Sequence, residues 1–273
     1  MGVDTGGTAT DVVAIDGRLT KVRERSSGPL GSGSVVTPPR SPEAVVVRSP
    51  RQLPPSDTAS MTSPAYHYAR SRERLSGLFA ELDAADWDRP VPACPEWRVR
   101  DVLAHLYGNT EDALAGRLTV PPPPELTAAQ VARHGDDDPA EMVRSWTEVS
   151  PRFEEAIDQL GVWPAAIDAV THEHDIRNAL DRPGARDDES VRFLAGLICA
   201  GLPVTIVADG DVLVSAPEGS APVRLDTTAF EVLRLRLGRR TRAQVEALAW
   251  TGDPAPILDA LFVFGPAAEP IGE

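Results

Sequence analysis

With 273 residues the chain can bury one large core or two small ones, and its 27 basic against 41 acidic residues leave a formal charge of −14. That balance, without a basic patch, argues against a nucleic-acid partner, and no apolar run reaches the roughly 20 residues of a membrane span or opens the chain as a signal peptide. The two cysteines, Cys94 and Cys199, form neither a CxxC pair nor a disulfide framework, so the expectation is a cytoplasmic protein, monomer or homodimer.

Residues 2–11 read Gly-Val-Asp-Thr-Gly-Gly-Thr-Ala-Thr-Asp, followed by a strand-like 12–15 and the turn Asp16-Gly17. Adjacent glycines flanked by hydroxyls after a short strand can turn backbone N–H groups toward phosphate. Residues 1–25 resemble the opening hairpin of the hydantoinase/oxoprolinase family, whose actin-like fold uses such a turn for nucleotide phosphates. An actin-like domain also needs a second phosphate loop and an adenosine pocket, and nothing downstream supplies them. Residues 26–62 are a Ser/Gly/Pro/Val stretch that cannot bury enough apolar surface to fold, so a mostly disordered linker is expected. The first 25 residues then read as an orphan fragment without nucleotide chemistry, and Met61 as a natural start.

Beyond residue 62 the texture changes. Ser63-Pro64 is an N-cap with proline at the first helical position, and Tyr66, Ala69, Leu75, Leu78, Phe79 and Leu82 continue a helical stripe. Residues 87–97 hold three prolines and read as an irregular loop. Helices are predicted from about 99 to 114, 139 to 160, 163 to 180 and 190 to 200. After Gly201 the apolar period shortens to strands near 204–208, 212–216 and 223–226, then to helices near 230–237 and 242–248 and a last one from Asp253-Pro254 through Phe264. The expected class is α+β: a four-helix bundle over 63–201, then a small α/β module over 202–273, behind the disordered extension.

The chemistry concentrates in Asp168-Ala-Val-Thr-His172, whose Asp and His share one helix face one turn apart. Such a pair is two legs of a divalent-metal site, although a solvated face or a local hydrogen bond is the commoner use of that spacing. His105 sits upstream with Val102 and Leu106 beside it. A lone His on such a stripe is usually a hydrogen-bonded core residue, but bundles also build metal sites from inward side chains on facing helices. His105, Asp168 and His172 together would offer three ligands and leave a position open, as in catalytic sites. Zinc is the first choice, with nickel, iron or manganese also fitting. His174 projects about 160° away from His172. His67 and His134 read as surface residues, and Cys94 as a loop thiol without a neighbouring base.

Three segments carry a second resemblance: Val91-Pro-Ala-Cys-Pro-Glu-Trp-Arg-Val-Arg-Asp-Val-Leu-Ala-His105-Leu, Asp168-x-x-x-His172-x-x-Asp175, and Gly238-Arg-Arg-Thr-Arg-Ala-Gln with Trp250-Thr-Gly-Asp-Pro. Over about residues 65–265 the chain resembles the mycothiol-dependent maleylpyruvate isomerase family, within the DinB-like metal-binding bundles. The resemblance implies a His, Glu, His metal triad falling on His105, Asp168 and His172, with Asp in place of Glu shortening one arm by a methylene. Arg98 stands where the family often has Ser or Thr, which would remove the usual cap partner of Asp101. The implied cofactors are a divalent metal and mycothiol, whose thiol the metal activates for attack on a small electrophilic substrate, by isomerisation or S-transfer. Asp175 reads as an acceptor for a ligand His or else as a surface carboxylate. Arg239 and Arg240 read as cations at the site mouth or else as ordinary surface arginines. The alternative function is a non-catalytic metal-binding bundle with a stress or regulatory role.

Overall fold

The computed structural model describes residues 61–118 and 122–273, together with the backbone of a short antiparallel pair, β1 (Ala14–Ile15) and β2 (Arg18–Leu19). The glycine-rich turn at residues 2–11 and nearly all of the linker expected over 26–62 lie outside the described residues.

The first helix, α1 (Pro64–Phe79), starts as its sequence dictates, with the Ser63 hydroxyl accepting from the Tyr66 N–H and Pro64 at the position where no N–H is needed. A single turn, α2 (Ala84–Trp87), is closed by a reciprocal cap between Asp83 and Asp86. The proline-rich stretch that follows is a hairpin, not an irregular loop: β3 (Pro90–Val91) pairs antiparallel with β4 (Cys94–Arg98). A two-stranded ribbon has only edges, and an edge tolerates a residue with no N–H to donate.

Four helices make the bundle: α1, α3 (Val99–Leu114), α5 (Pro139–Leu160) and α6 (Trp163–Ala179). A fifth, α4 (Pro124–His134), is a helix the apolar pattern did not predict, because its sequence carries no continuous stripe. It lies along α3. The approach is close at Gly108, where an added Cβ would come within 2.7 Å of the Gln130 Cβ. The start of α3 corrects another expectation. Asp101 keeps a cap partner, because Arg98 supplies its own backbone N–H at 2.8 Å and a guanidinium fork at 2.9 and 3.0 Å.

The C-terminal module is a four-stranded sheet in the order β6-β5-β7-β8. Its strands are β5 (Thr205–Ala208), β6 (Asp211–Val214), β7 (Arg224–Thr227) and β8 (Ala249–Thr251). The β5–β7 pair is parallel and the other two are antiparallel. The sheet is backed by α7 (Glu189–Cys199) and α8 (Ala229–Arg236). A short α9 (Arg242–Glu246) leads into β8, a strand the sequence pattern had not shown. The last predicted helix shrinks to one 3-10 turn, Leu258–Leu261.

Two apolar cores result. One joins α1, α3, α5 and part of α6; the other joins the sheet, α7 and α8 with Ile167 and Val170 of α6. The second core therefore draws on residues before 201, from both α6 and α7. Residues 169–176 of α6 are buried without interruption, so this helix belongs to both cores. Among the described residues no helix is long and apolar enough to cross a membrane.

Candidate metal centre

The seam between the cores holds the residues singled out from the sequence. His105 of α3 and Asp168 and His172 of α6 come together, with ligand atoms all within 4.8 Å of one another. The His105 Nε2 lies 3.3 Å from Asp168 Oδ2 and the His172 Nε2 lies 3.4 Å from Asp168 Oδ1. The two imidazoles meet nearly edge to face, at 5.3 Å and 80°. Trp97 of β4 flanks both rings, at 5.1 and 6.1 Å.

What surrounds each imidazole decides which nitrogen is free. Asp112 is fully buried, and its carboxylate can only accept; Arg117 and Arg133 donate to it at 2.8 to 3.0 Å. The Gln130 amide therefore points its NH2 group at Asp112 Oδ2, 3.0 Å, and at Asn109 Oδ1, 2.9 Å. Its carbonyl is left to accept from His105 Nδ1 at 3.1 Å. The proton of His105 thus sits on Nδ1, and its Nε2 lone pair faces Asp168. Asn109 Nδ2 donates beside it, to His105 Nε2 at 3.2 Å and Asp168 Oδ2 at 3.3 Å.

His172 is oriented from the other core. Its Nδ1 donates to Asp175 Oδ2 at 3.1 Å. Asp175 is fully buried, not a surface carboxylate, and Arg234 and Arg239 each donate to it at 2.7 Å. Burial alone would raise the Asp175 pKa, but these guanidinium groups, Arg239 first, hold it well below the usual carboxylate range. Burial would likewise lower His172, yet the Asp168 carboxylate, with Asp175 behind, raises it well above an ordinary imidazole. Asp168 moves in the complementary direction: burial opposes its ionisation, and the charge of the neighbouring His172 overcomes that and pulls it well below its ordinary value. Without a cation, a proton on His172 Nε2 is what neutralises this cluster.

Several single-residue expectations change. Arg239 and Arg240 are buried, at 4% and 6% exposure, and are not surface arginines. Arg239 reaches the centre through Asp175, whereas Arg240 is bound to Glu231 and Glu273. His67 and His134 are buried too. His67 bonds Ser190 and the Met61 carbonyl, and His134 bonds Asp137 and Glu111. Cys94 is half-buried on β4, and its sulfur lies within 4.8 Å of His172 and Asp175 ligand atoms. His174 faces away as expected, with its ring against Phe230; burial, then the nearby Arg234, pushes it down to about 3. Gln130 and Asn109 were not anticipated. Asn109 stands four residues after His105, so the helical repeat does place it on the His105 face. Gln130 gives no such signal, because its partners are distant in sequence.

A cavity of about 240 Å³ reaches His105, Asn109 and Asp168 from solvent, between α1, α3, α5 and α6. Its other walls are largely apolar, including Leu106, Phe153, Ile157 and Ala165. Tyr68 lines it as well, but its hydroxyl bonds Thr110 and Trp146 at 2.9 and 2.8 Å, and burial pushes its pKa up to about 12.

These residues fall inside a known family pattern. The mycothiol maleylpyruvate isomerase N-terminal domain family matches residues 68–174. That range contains His105, Asp168 and His172. Two solved structures are similar, the mycothiol-dependent maleylpyruvate isomerase and a histidine-to-alanine mutant of it. Each is 15% identical, with a TM-score of 0.43, covering 64% of this chain and 88% of the other. No curated protein matches the chain. The resemblance of residues 1–25 to the hydantoinase family finds no support in these comparisons.

Proposed function

We propose that this protein is a metal-dependent enzyme that uses mycothiol in the isomerisation of, or S-transfer to, a small electrophilic substrate of the maleylpyruvate type. One observation carries the reading: two imidazole Nε2 atoms and both oxygens of one carboxylate converge at the wall of an apolar cavity. The donor set fits a divalent cation, since nitrogen and carboxylate oxygen suit zinc and three protein ligands leave a position open. A cation held by His105, Asp168 and His172 would supply Lewis acidity, lowering the pKa of a thiol beside it so that thiolate predominates near neutral pH.

The chain's own residues prepare that chemistry from two sides. Asp112 and Gln130 keep the His105 proton on Nδ1, and Asp175, held by Arg234 and Arg239, does the same for His172. Arg239 is in this reading a positioning residue, acting through Asp175. Arg240, bound to Glu231 and Glu273, secures the same corner of the module. The apolar cavity seats the carbon skeleton of the substrate and keeps water from it. Zinc as the metal, maleylpyruvate-like compounds as substrates and a cytoplasmic setting complete the proposal.

The test has two stages. Elemental analysis of the full chain and of His172→Ala should find near-stoichiometric metal in the first and little in the second. Turnover of maleylpyruvate that requires mycothiol should follow in the metal-loaded protein. Metal without thiol-dependent turnover would leave a metal-binding bundle and remove the enzyme. No metal in either preparation, after incubation with zinc, nickel or manganese, would remove the centre itself.

A further inference from the structure

On the opposite face of α6 from His172, a second cavity of about 90 Å³ opens between this helix, the loop after it and α8. His174 lines it, only 3% exposed, and its buried Nε2 has no hydrogen-bond partner. Buried polar atoms in native proteins are nearly always paired, so an orphan nitrogen on a residue that lines a cavity is unusual. The Phe230 ring lies edge to face with that imidazole at 4.9 Å and also carries the Arg186 guanidinium over its face at 4.7 Å. Arg186 and His174 are thus brought together by one aromatic ring. Beyond that ring contact, Arg186 has no hydrogen-bond or ion-pair partner among the described residues.

Arg177 is the third donor. It commits Nε to Glu173 at 3.0 Å, while its Nη groups have no acceptor among the described residues. Its Nη1 passes so close to Gly184 that an added Cβ there would stand 3.0 Å away, so glycine leaves the guanidinium its room. Two carboxylates share the rim, and neither answers these donors. Glu273 is engaged by Arg234 and Arg240, and Asp181, with its side chain 93% exposed, comes only within 3.9 Å of Arg89.

We propose that this cavity binds a small organic carboxylate, independently of the metal centre. Two guanidinium forks, from Arg177 and Arg186, match the two oxygens of a carboxylate, and the His174 ring lines the cavity beside them. The Phe230 ring carries Arg186 at 4.7 Å and Arg234 at 5.9 Å from its centroid, so it fixes the donors in place. The volume limits the ligand to a few heavy atoms.

The experiment is a titration of propionate into the metal-loaded full chain, following the His174 Nε2 resonance by NMR. Arg186→Gln and Asp168→Asn are titrated alongside. Arg186 is exposed and carries no ion pair, so its replacement leaves the fold intact. A saturable shift is expected in the wild type and in Asp168→Asn, with affinity about tenfold weaker in Arg186→Gln, the loss of one charge-assisted fork. Three results would overturn the proposal. One is no saturable shift, which leaves His174 with water alone. Another is binding lost in Asp168→Asn but kept in Arg186→Gln, which puts the carboxylate on the metal. The last is displacement of propionate by equal phosphate or chloride, which makes the cavity a general cationic patch.

Discussion

Gln130→Met is the substitution that tests most directly how the metal centre is built. The thioether fills a similar volume but offers neither the amide donor nor the carbonyl. His105 Nδ1–H then loses its 3.1 Å acceptor in an interior where water does not reach Gln130, whereas Asn109 Oδ1, half-buried at the cavity, can replace its 2.9 Å donor with water. A buried group left unpaired costs about 1–3 kcal/mol, so the fold should lose roughly that much. Asp112 still has Arg117 and Arg133, and adds little to that figure. Metal affinity should fall about 10–100-fold, because nothing then keeps the proton off His105 Nε2. Denaturant midpoints at constant m-value read the first effect, and competition with a chromophoric chelator reads the second. Side-chain 15N spectra of the metal-free protein report the His105 tautomer directly. Gln130→Glu separates the two roles: it keeps an acceptor for His105 but sets a carboxylate against Asp112, so stability should suffer more than metal affinity. If Gln130→Met binds metal as tightly as the wild type and keeps the Nδ1–H form, the relay from Asp112 has no part in the centre.

Three other outcomes follow from the same geometry. Metal loading should release about one proton from His172 near neutral pH, so affinity rises with pH and levels off above the raised pKa of His172; calorimetry in buffers of different ionisation enthalpy measures this, and a buffer-independent heat would contradict it. Gly108→Ala gains helix propensity but drives a Cβ to 2.7 Å from Gln130, so a net loss of about 1–3 kcal/mol and weaker metal binding are expected, where a stabilised variant would show that α4 simply yields. Iodoacetamide should modify Cys94 well before Cys199, which is fully buried with its thiol pushed up to about 11 by that burial; peptide mapping showing equal rates would refute the assignment.

The parts of this molecule that were legible in the sequence are those set by local periodicity. The long helices repeat their apolar residues every three or four positions, so α1, α3, α5 and α6 stand close to where the pattern puts them. The Asp168/His172 pair is one turn of helix, and His105 announces itself as a polar residue inside an apolar stripe. What could not be read depends on partners far along the chain. Arg239 and Asp175 are 64 residues apart, and Gln130 and His105 are 25 apart. Charged residues such as Arg234, Glu173 and Asp112 look exposed by composition and are buried only because others neutralise them. The hairpin of β3 and β4 was hidden by its prolines, which ordinarily signal irregular chain but cost nothing on an edge.

The sharing of α6 between two cores has a consequence for cooperativity. Ile167 and Val170 face one core while Ala166, Ala169 and Ile176 face the other, so neither core can open without exposing a side of the same helix. The bundle and the sheet module should therefore melt as a single unit, with one denaturant transition. A chain cut at residue 201 would separate α7 from its sheet and leave α6 half bare. The smallest autonomous folding unit here runs through both halves, and a ligand that grips α6 from either side tightens both.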